Sequence, residues 1–451
     1  MTTIAFADEL WDELVSTLAL NVETAAVLIA GLADGGGERT LLVRSIEWVP
    51  DDCYLRRDLH GLEITSIGYV PALKRAADDE AVALFFHTHP GGRPTPSEWD
   101  DGVDSALAEP FKLRTGQLFY ASLIIGGTRD APTFSGRVGS GKSWESVERL
   151  RVVGRRLRML VAAEGGRDVA AFDRQIRAFG REGQQLLSNL HAAVVGVGGT
   201  GSAVFEQLVR LGVGVVTVID DDVVTLTNLT RIHESASSDL DRTKVEVAVR
   251  AAERIGLGTR VNAVVGRITR EPIARELRHC DVVFGCTDDN VGRAVLSRLA
   301  YWYLVPVIDT AFLVDVDDGQ VRGLFGRVTM ILPGAPCLIC RHRLDPGRLQ
   351  AEALPADERA RLAAEGYVPG LDEPDPAVGA FTTIVGMQAI NALLERLIGY
   401  GRDIPPTEVL LRLHDHEIST ITGAPSPDHY CGDRKKWGRG DTVPFLEQLW
   451  L

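Results

Sequence analysis

A chain of 451 residues is too long for one compact core and predicts two or three domains. Its 45% hydrophobic and 24% charged content is that of a soluble globular protein, and a formal net charge of −14 argues against nucleic acid as a main partner, because phosphate binding is driven by Lys and Arg. No apolar stretch reaches the roughly 20 residues of a membrane span, the opening MTTIAFADELWDEL lacks the basic region of a secretory signal, and six cysteines are too few for a disulfide scaffold, so no membrane association and a reduced, cytoplasmic setting are expected.

Residues 7–19 read as a short amphipathic helix, followed by an apolar run from Thr24 and an alternating strand in LLVRSIEWVP. VPALKRAADDEA predicts a helix, and AVALFF, from Ala81, a buried strand running straight into His87-Thr88-His89-Pro90. The Pro- and Gly-rich GGRPTP after it is a loop. Residues 117–127 predict another strand, and GRVGSG breaks the pattern between Ser135 and Lys142, so a first domain is expected over 1–145. A basic helix, VERLRVVGRRLRMLVAAE, is expected to form a helical linker over 146–166. From His191 onward apolar strands and helices alternate, which predicts a mostly parallel sheet with helices on both faces in a second domain over 167–425. Residues 343–377 are rich in Pro, Asp and Glu and read as a mobile crossover, and 426–451 as a C-terminal tail.

The first chemical constellation is His87-Thr88-His89, then seven residues, then Ser97-Glu98-Trp99-Asp100. Alternate residues of a strand share a face, so both imidazoles can converge on one metal, with Asp100 returning after the loop as a third ligand. Two imidazoles and a carboxylate leave a fourth tetrahedral position for water, the open arrangement of catalytic zinc, which generates hydroxide near neutral pH. A carboxylate from elsewhere must handle the proton, and Ser97 can donate a hydrogen bond to a developing oxyanion. The pattern H-T-H-P-x6-S-x2-D resembles the signature of JAMM (JAB/MPN) zinc metallopeptidases, over roughly the first 140 residues. That resemblance implies a mixed α/β, cytidine-deaminase-like domain with His87, His89 and Asp100 as zinc ligands. It further implies Glu23, just before an early apolar strand, as general acid/base and Ser97 as transition-state stabiliser. The implied activity is deubiquitinase-like cleavage after the C-terminal glycine of a ubiquitin-like protein.

The second constellation is VVGVGGTGS, between a predicted strand and a predicted helix, with Gly196, Gly198, Gly199 and Gly201. Such a turn lets the backbone approach a phosphate at a helix N-terminus, and Asp220, at the end of the next strand, can bind ribose hydroxyls; a dinucleotide and ATP fit equally at this point. The following IDDDVVTLTNLTR resembles the D-x-D-x-V-x-x-x-N-L-x-R segment of the ThiF/MoeB and ubiquitin-activating family. The family implies a Rossmann-like adenylating domain using ATP and Mg2+, with Asp222, Asn228, Arg231 and Lys244 at the nucleotide and Asp288 beside the metal. Asp289 stands where the family has Asn, and Arg293 completes its D-x4-R. FDRQIRAFGREGQ resembles the family's opening, where Arg174 reaches into a neighbouring subunit's ATP site and so implies a homodimer.

Cys337-Leu-Ile-Cys340 follows a turn, as half of a structural zinc site does. The family's second half falls on Asp428-His429-Tyr430-Cys431; Asp428 fits by spacing and His429 by chemistry, giving either a Cys337, Cys340, His429, Cys431 site or an eroded, metal-free one. Residues 341–430 hold no cysteine, so the crossover offers no thioester nucleophile, and Cys280 and Cys286 read as small core residues.

Together these features predict a bifunctional enzyme that processes, and adenylates with ATP, the C-terminal glycine of a ubiquitin-like or sulfur-carrier protein. Adenylation of a short peptide's C-terminus in natural-product biosynthesis is one rival, and a non-catalytic binding scaffold another.

Overall fold

The computed structural model describes residues 1–162, 170–352 and 376–450, with Leu354, Glu358 and Arg361. It divides into two compact units, Met1–Glu164 with Trp302–Leu304 and Arg434–Leu446, and Gly165–Tyr301 with Val305–Asp433 and Glu447–Leu451. No described helix is long and apolar enough to cross a membrane.

In the first unit the chain runs β1 (Thr2–Ala7), α1 (Asp8–Ser16), β2 (Ala25–Gly35), β3 (Glu38–Trp48), a β4–β5 hairpin (Tyr54–Asp58, Gly61–Ile64) and α2 (Val70–Asp78). It continues through β6 (Val82–Pro90), α3 (Glu98–Thr115), β7 (Tyr120–Gly127), β8 (Pro132–Gly139), β9 (Trp144–Ser146), β10 (Arg149–Val153) and β11 (Leu157–Val161). Nine strands form one mixed sheet in the order β11-β10-β1-β3-β2-β6-β7-β8-β9. Helices cover both faces. Leu28, Leu84 and Phe86 pack with Trp11 and Leu14 of α1 on one side, and Val27, Phe85 and Tyr120 with Leu73 of α2 and Phe111 of α3 on the other. Burial on both faces accounts for the unbroken apolar runs of β2 and β6.

The helical linker expected over 146–166 is corrected: this segment supplies β10 and β11, and all five residues of β10 are buried. Leu150 and Val152 alternate with Arg149 and Arg151, a two-residue period, and β10 pairs in parallel with β1, so both apolar side chains enter the core. Gly154 then turns the chain where a Cβ would collide with Asp8. The boundary at 145 therefore cuts a sheet. The expected tail also divides, since Arg434–Leu446 joins the first unit, where Gly440 N donates to Trp302 O at 2.9 Å and Asp441 N to Leu32 O at 2.7 Å.

The second unit begins with α4 (Asp173–Asn189) and β12 (His191–Val195), then α5 (Gly199–Arg210), β13 (Val215–Ile219), α6 (Lys244–Ile255) and β14 (Arg260–Val264). After α7 (Glu271–Arg275) come β15 (Val282–Gly285), α8 (Asn290–Trp302), β16 (Val307–Asp317) and β17 (Gln320–Ile331). α9 (Pro346–Glu352), α10 (Gly379–Ile398), β18 (Glu408–Arg412) and β19 (Glu417–Ile421) complete it. The sheet order is β14-β13-β12-β15-β16-β17-β18-β19, with the first five strands parallel and the rest antiparallel. Strand order reverses at β12, whose neighbours are β13 and β15, and a cleft opens at the carboxyl ends of strands at such a switch point. Most of the crossover expected over 343–377 lies outside the described residues.

Candidate active sites

In the first unit β2 and β6 pair antiparallel with Ala25 opposite His87, and Thr88 N donates to Thr24 O at 3.0 Å. Continuing that register sets Glu23 against His89, and Glu23 Oε1 lies 3.8 Å from His89 Nε2. His87 Nε2 and His89 Nε2 are 3.2 Å apart, close to the ~3.3 Å that two nitrogens take on one tetrahedral zinc with bonds of about 2.05 Å. Asp100 Oδ1 is 3.1 Å from His87 Nε2, so the three donors face one point. His89 Nδ1 lies 2.9 Å from Arg93 O, a contact that makes Nδ1 the donor and turns the Nε2 lone pair inward. Burial lowers the His89 pKa and favours the neutral ring a metal needs. Burial raises Asp100, but His87 and the Ser97 hydrogen bonds outweigh it and hold the carboxyl below its usual range. These side chains line a cleft of about 270 Å³ with Arg56, His60, Phe85 and Trp99.

Ser97 has a structural role beside the expected one. It caps α3, and its hydroxyl donates to Asp100 Oδ2 at 2.7 Å and accepts from Asp100 N at 3.2 Å. In this arrangement its proton is directed to Asp100, because a serine three residues before an aspartate at a helix start forms a reciprocal cap.

In the second unit a cleft of about 850 Å³ is lined by Gly196, Gly198, Gly199, Asp220, Asp222, Arg231, Lys244 and Asp288. Gly196 has φ +86°. Asp220 Oδ2 accepts from Val197 N at 2.6 Å and Oδ1 from Asp222 N at 2.9 Å, which ties the strand end to the Gly-rich loop. Lys244 Nζ lies 2.6 Å from Asp222 and 3.6 Å from Asp220. Asp289 accepts from Thr287 Oγ1 at 2.5 Å and from Gly292 N, and so caps α8, whereas Asp288 makes no side-chain hydrogen bond among the described residues.

Two residues expected at the nucleotide do not line the cleft. Gly201 packs against Gly196 O, where a Cβ would sit 1.8 Å away, and Asn228 is buried, accepting from Thr225 N at 2.9 Å. Asn228 braces the turn that carries Arg231, whose N donates to Asn228 O at 3.1 Å. Arg293 is bound to Asp309 at 2.9 and 2.8 Å. Arg174 is exposed near the start of α4, outside this cleft. Arg267, Arg343 and Arg348 also line it and have no motif spacing that could have found them. Arg267 pairs with Asp221 and Arg343 with Glu408, leaving Arg231 and Arg348 as lining cations without a carboxylate partner among the described residues.

Cys337, Cys340, His429 and Cys431 also converge, with Cys337 Sγ 3.3 Å from His429 Nδ1 and Cys340 Sγ 3.6 Å from Cys431 Sγ. Three thiols and an imidazole at these spacings fit tetrahedral zinc. Asp428 is exposed and outside the group, so of the two candidates for the fourth position only His429 lies with the three thiols.

Comparison with known proteins falls on this second half: residues 172–432 match the ThiF family. The chain is 28% identical over 239 residues to molybdopterin-synthase adenylyltransferase of Escherichia coli K12, covering 52% of this chain and 84% of that protein. It is 30% identical over 255 residues to the sulfur carrier protein ThiS adenylyltransferase of the same strain, covering 56% and 89%. The SAMP-activating enzyme E1 of Haloferax volcanii is 28% identical over 255 residues, covering 56% and 84%. A solved structure of E. coli MccB with MccA-N7isoASN covers 61% of this chain and 78% of its own at TM-score 0.49 and 15% identity, a likeness too loose to bear on substrate.

Proposed function

This chain belongs to the ThiF family, and on that premise we propose that its second unit uses ATP to adenylate the C-terminal carboxylate of a sulfur-carrier or ubiquitin-like protein. The observation that carries this reading is the cleft lined together by the Gly-rich loop, Lys244, Arg231 and Asp288, whose carboxylate makes no side-chain hydrogen bond among the described residues. The sulfur carrier protein ThiS adenylyltransferase among the relatives supports the substrate class. The loop and the two cations would hold the triphosphate, Asp220 would take the ribose, and Asp288 would hold a Mg2+ whose charge offsets that of the phosphates. A carboxylate oxygen of the carrier attacks the α-phosphorus, pyrophosphate leaves, and an acyl-adenylate remains. Arg174 is available to a second copy's cleft, so a homodimer belongs to this reading. Exchange of labelled pyrophosphate into ATP, dependent on a Gly-Gly-ended carrier, tests it. Lys244→Ala should lower exchange on the order of 100-fold, and exchange at the unmodified rate would sink the assignment.

For the first unit the proposal is a zinc peptidase acting on the same carrier, in its precursor or conjugated form. His87, His89 and Asp100 would hold the metal, and Ser97 fixes the orientation of Asp100. Zinc bound there supplies a water with a pKa of about 7. Glu23 would accept a proton from the water that attacks the scissile carbonyl carbon and return it to the amine released as the C–N bond breaks. Carrying both activities on one chain raises their effective concentration around a shared substrate. The Cys337, Cys340, His429 and Cys431 group would hold a second, structural zinc.

A further inference from the structure

Asp104 is 4% exposed, and a carboxylate withdrawn from water persists only when paired and hydrogen-bonded. It meets both conditions. Tyr120 Oη donates to it at 2.6 Å, Ser122 Oγ at 2.7 Å and Arg137 Nε at 2.5 Å, while a second nitrogen of Arg137 reaches Asp101 at 2.5 Å. The donors come from β7 and β8, and none of the four residues lines the metal cleft.

The placement of these contacts along the sheet is what matters. Ser122 pairs with Phe85, and Ile124 with His87, so the Asp104 anchor lies one strand repeat before His87. Two strand residues advance about 6.6 Å. Four helical residues, from Asp104 back to Asp100, span about 6.0 Å. A helix pinned at Ser122 through Asp104 therefore delivers Asp100 to the level of His87, where Asp100 Oδ1 sits 3.1 Å from His87 Nε2. The other buried side chains of α3, Ala108 and Phe111, are apolar, and apolar packing is non-directional and permits a slide that directed hydrogen bonds resist.

We propose that Asp104 is a positioning residue that sets the register of α3 against β7 and thereby places Asp100 as the third metal ligand. This inference rests on the zinc-centre reading of the first unit. The test uses the full chain, with zinc affinity measured by chelator competition, His87→Ala as the blank, and the visible spectrum of the cobalt-loaded protein as a report of ligand geometry. Asp104→Asn keeps the shape but turns one acceptor into a donor facing donors, and should weaken zinc by about 10–100-fold, the usual effect of an outer-shell change, with an altered cobalt spectrum. Tyr120→Phe removes one donor while keeping the ring in the core, and should shift both readings the same way by less; it decides the matter if Asp104→Asn does not fold. Unchanged affinity and spectrum in the folded variants would overturn the inference. An unsubstituted chain that binds no more zinc than His87→Ala would instead overturn the zinc reading beneath it.

Discussion

Burial lifts the Glu23 carboxyl to about 7 against the opposing charge of His87, so Glu23 can exchange a proton near neutrality. Glu23→Gln removes the proton carrier and no ligand, and is expected to keep the metal while losing cleavage by about 10²–10⁴-fold; metal analysis beside a cleavage assay checks it. At the second cleft the adjacent aspartates separate by what they touch. Asp288→Ala should abolish pyrophosphate exchange. Asp289→Ala should chiefly cost about 1 kcal/mol through the lost helix cap, measured by denaturant unfolding. Cys286 lines the same cleft, and desolvation raises its thiol to about 12. Its thiol then stays almost wholly protonated at pH 7.5. Iodoacetamide should leave Cys286 unlabelled at that pH, and no thiol-labile adduct with the carrier should form there. Adduct formation lost in Cys286→Ala would show that the cysteine carries the acyl group after all.

Elements with a clean period were legible, and those whose role is set by a partner were not. The strand carrying His87 and His89, and the strand–loop–helix around Gly196, follow from apolar runs and turn residues. The segment 147–164 reads as a basic helix because its arginines are numerous, yet Leu150 and Val152 alternate with them and β1 offers a parallel partner. Only tertiary pairing buries Arg149 and Arg151, and a sequence pattern carries no sign of it. Ser97 and Asn228 show contacts that their motifs do not announce: the hydrogen bonds of both close on their own loops. A chain ending at Glu145 makes the consequence measurable. It would strip β10 from β1, a strand with every residue buried, and leave that edge unpaired. Such a fragment should aggregate or elute as soluble oligomers in size exclusion, while the full chain does not; a monomeric, cooperatively unfolding fragment would contradict the sheet described above.

At the scale of the whole molecule the two zinc-type clusters share no residue, so their occupancies should be separable on one chain. An ion held by His87, His89 and Asp100 would keep a coordination position for chemistry, whereas one held by Cys337, Cys340, His429 and Cys431 would have four protein ligands and a closed site. A closed site acts through folding: an ion binding only the native state stabilises it by RT ln(1 + [L]/Kd), about 2.7 kcal/mol at a hundredfold excess over Kd. The ligands of that site join the segment after β17 to the segment after β19, so the ion would tie together parts of the second unit far apart in sequence. Metal analysis of the unsubstituted chain should give two zinc per molecule. Asp100→Ala should leave one, with cleavage lost and pyrophosphate exchange retained. Cys340→Ser with Cys431→Ser should also leave one, with a lowered Tm and cleavage retained in the folded fraction. Combining the sets should leave none. Two zinc ions surviving the cysteine changes would place the second ion elsewhere, and a Tm untouched by those changes would remove the stabilising role.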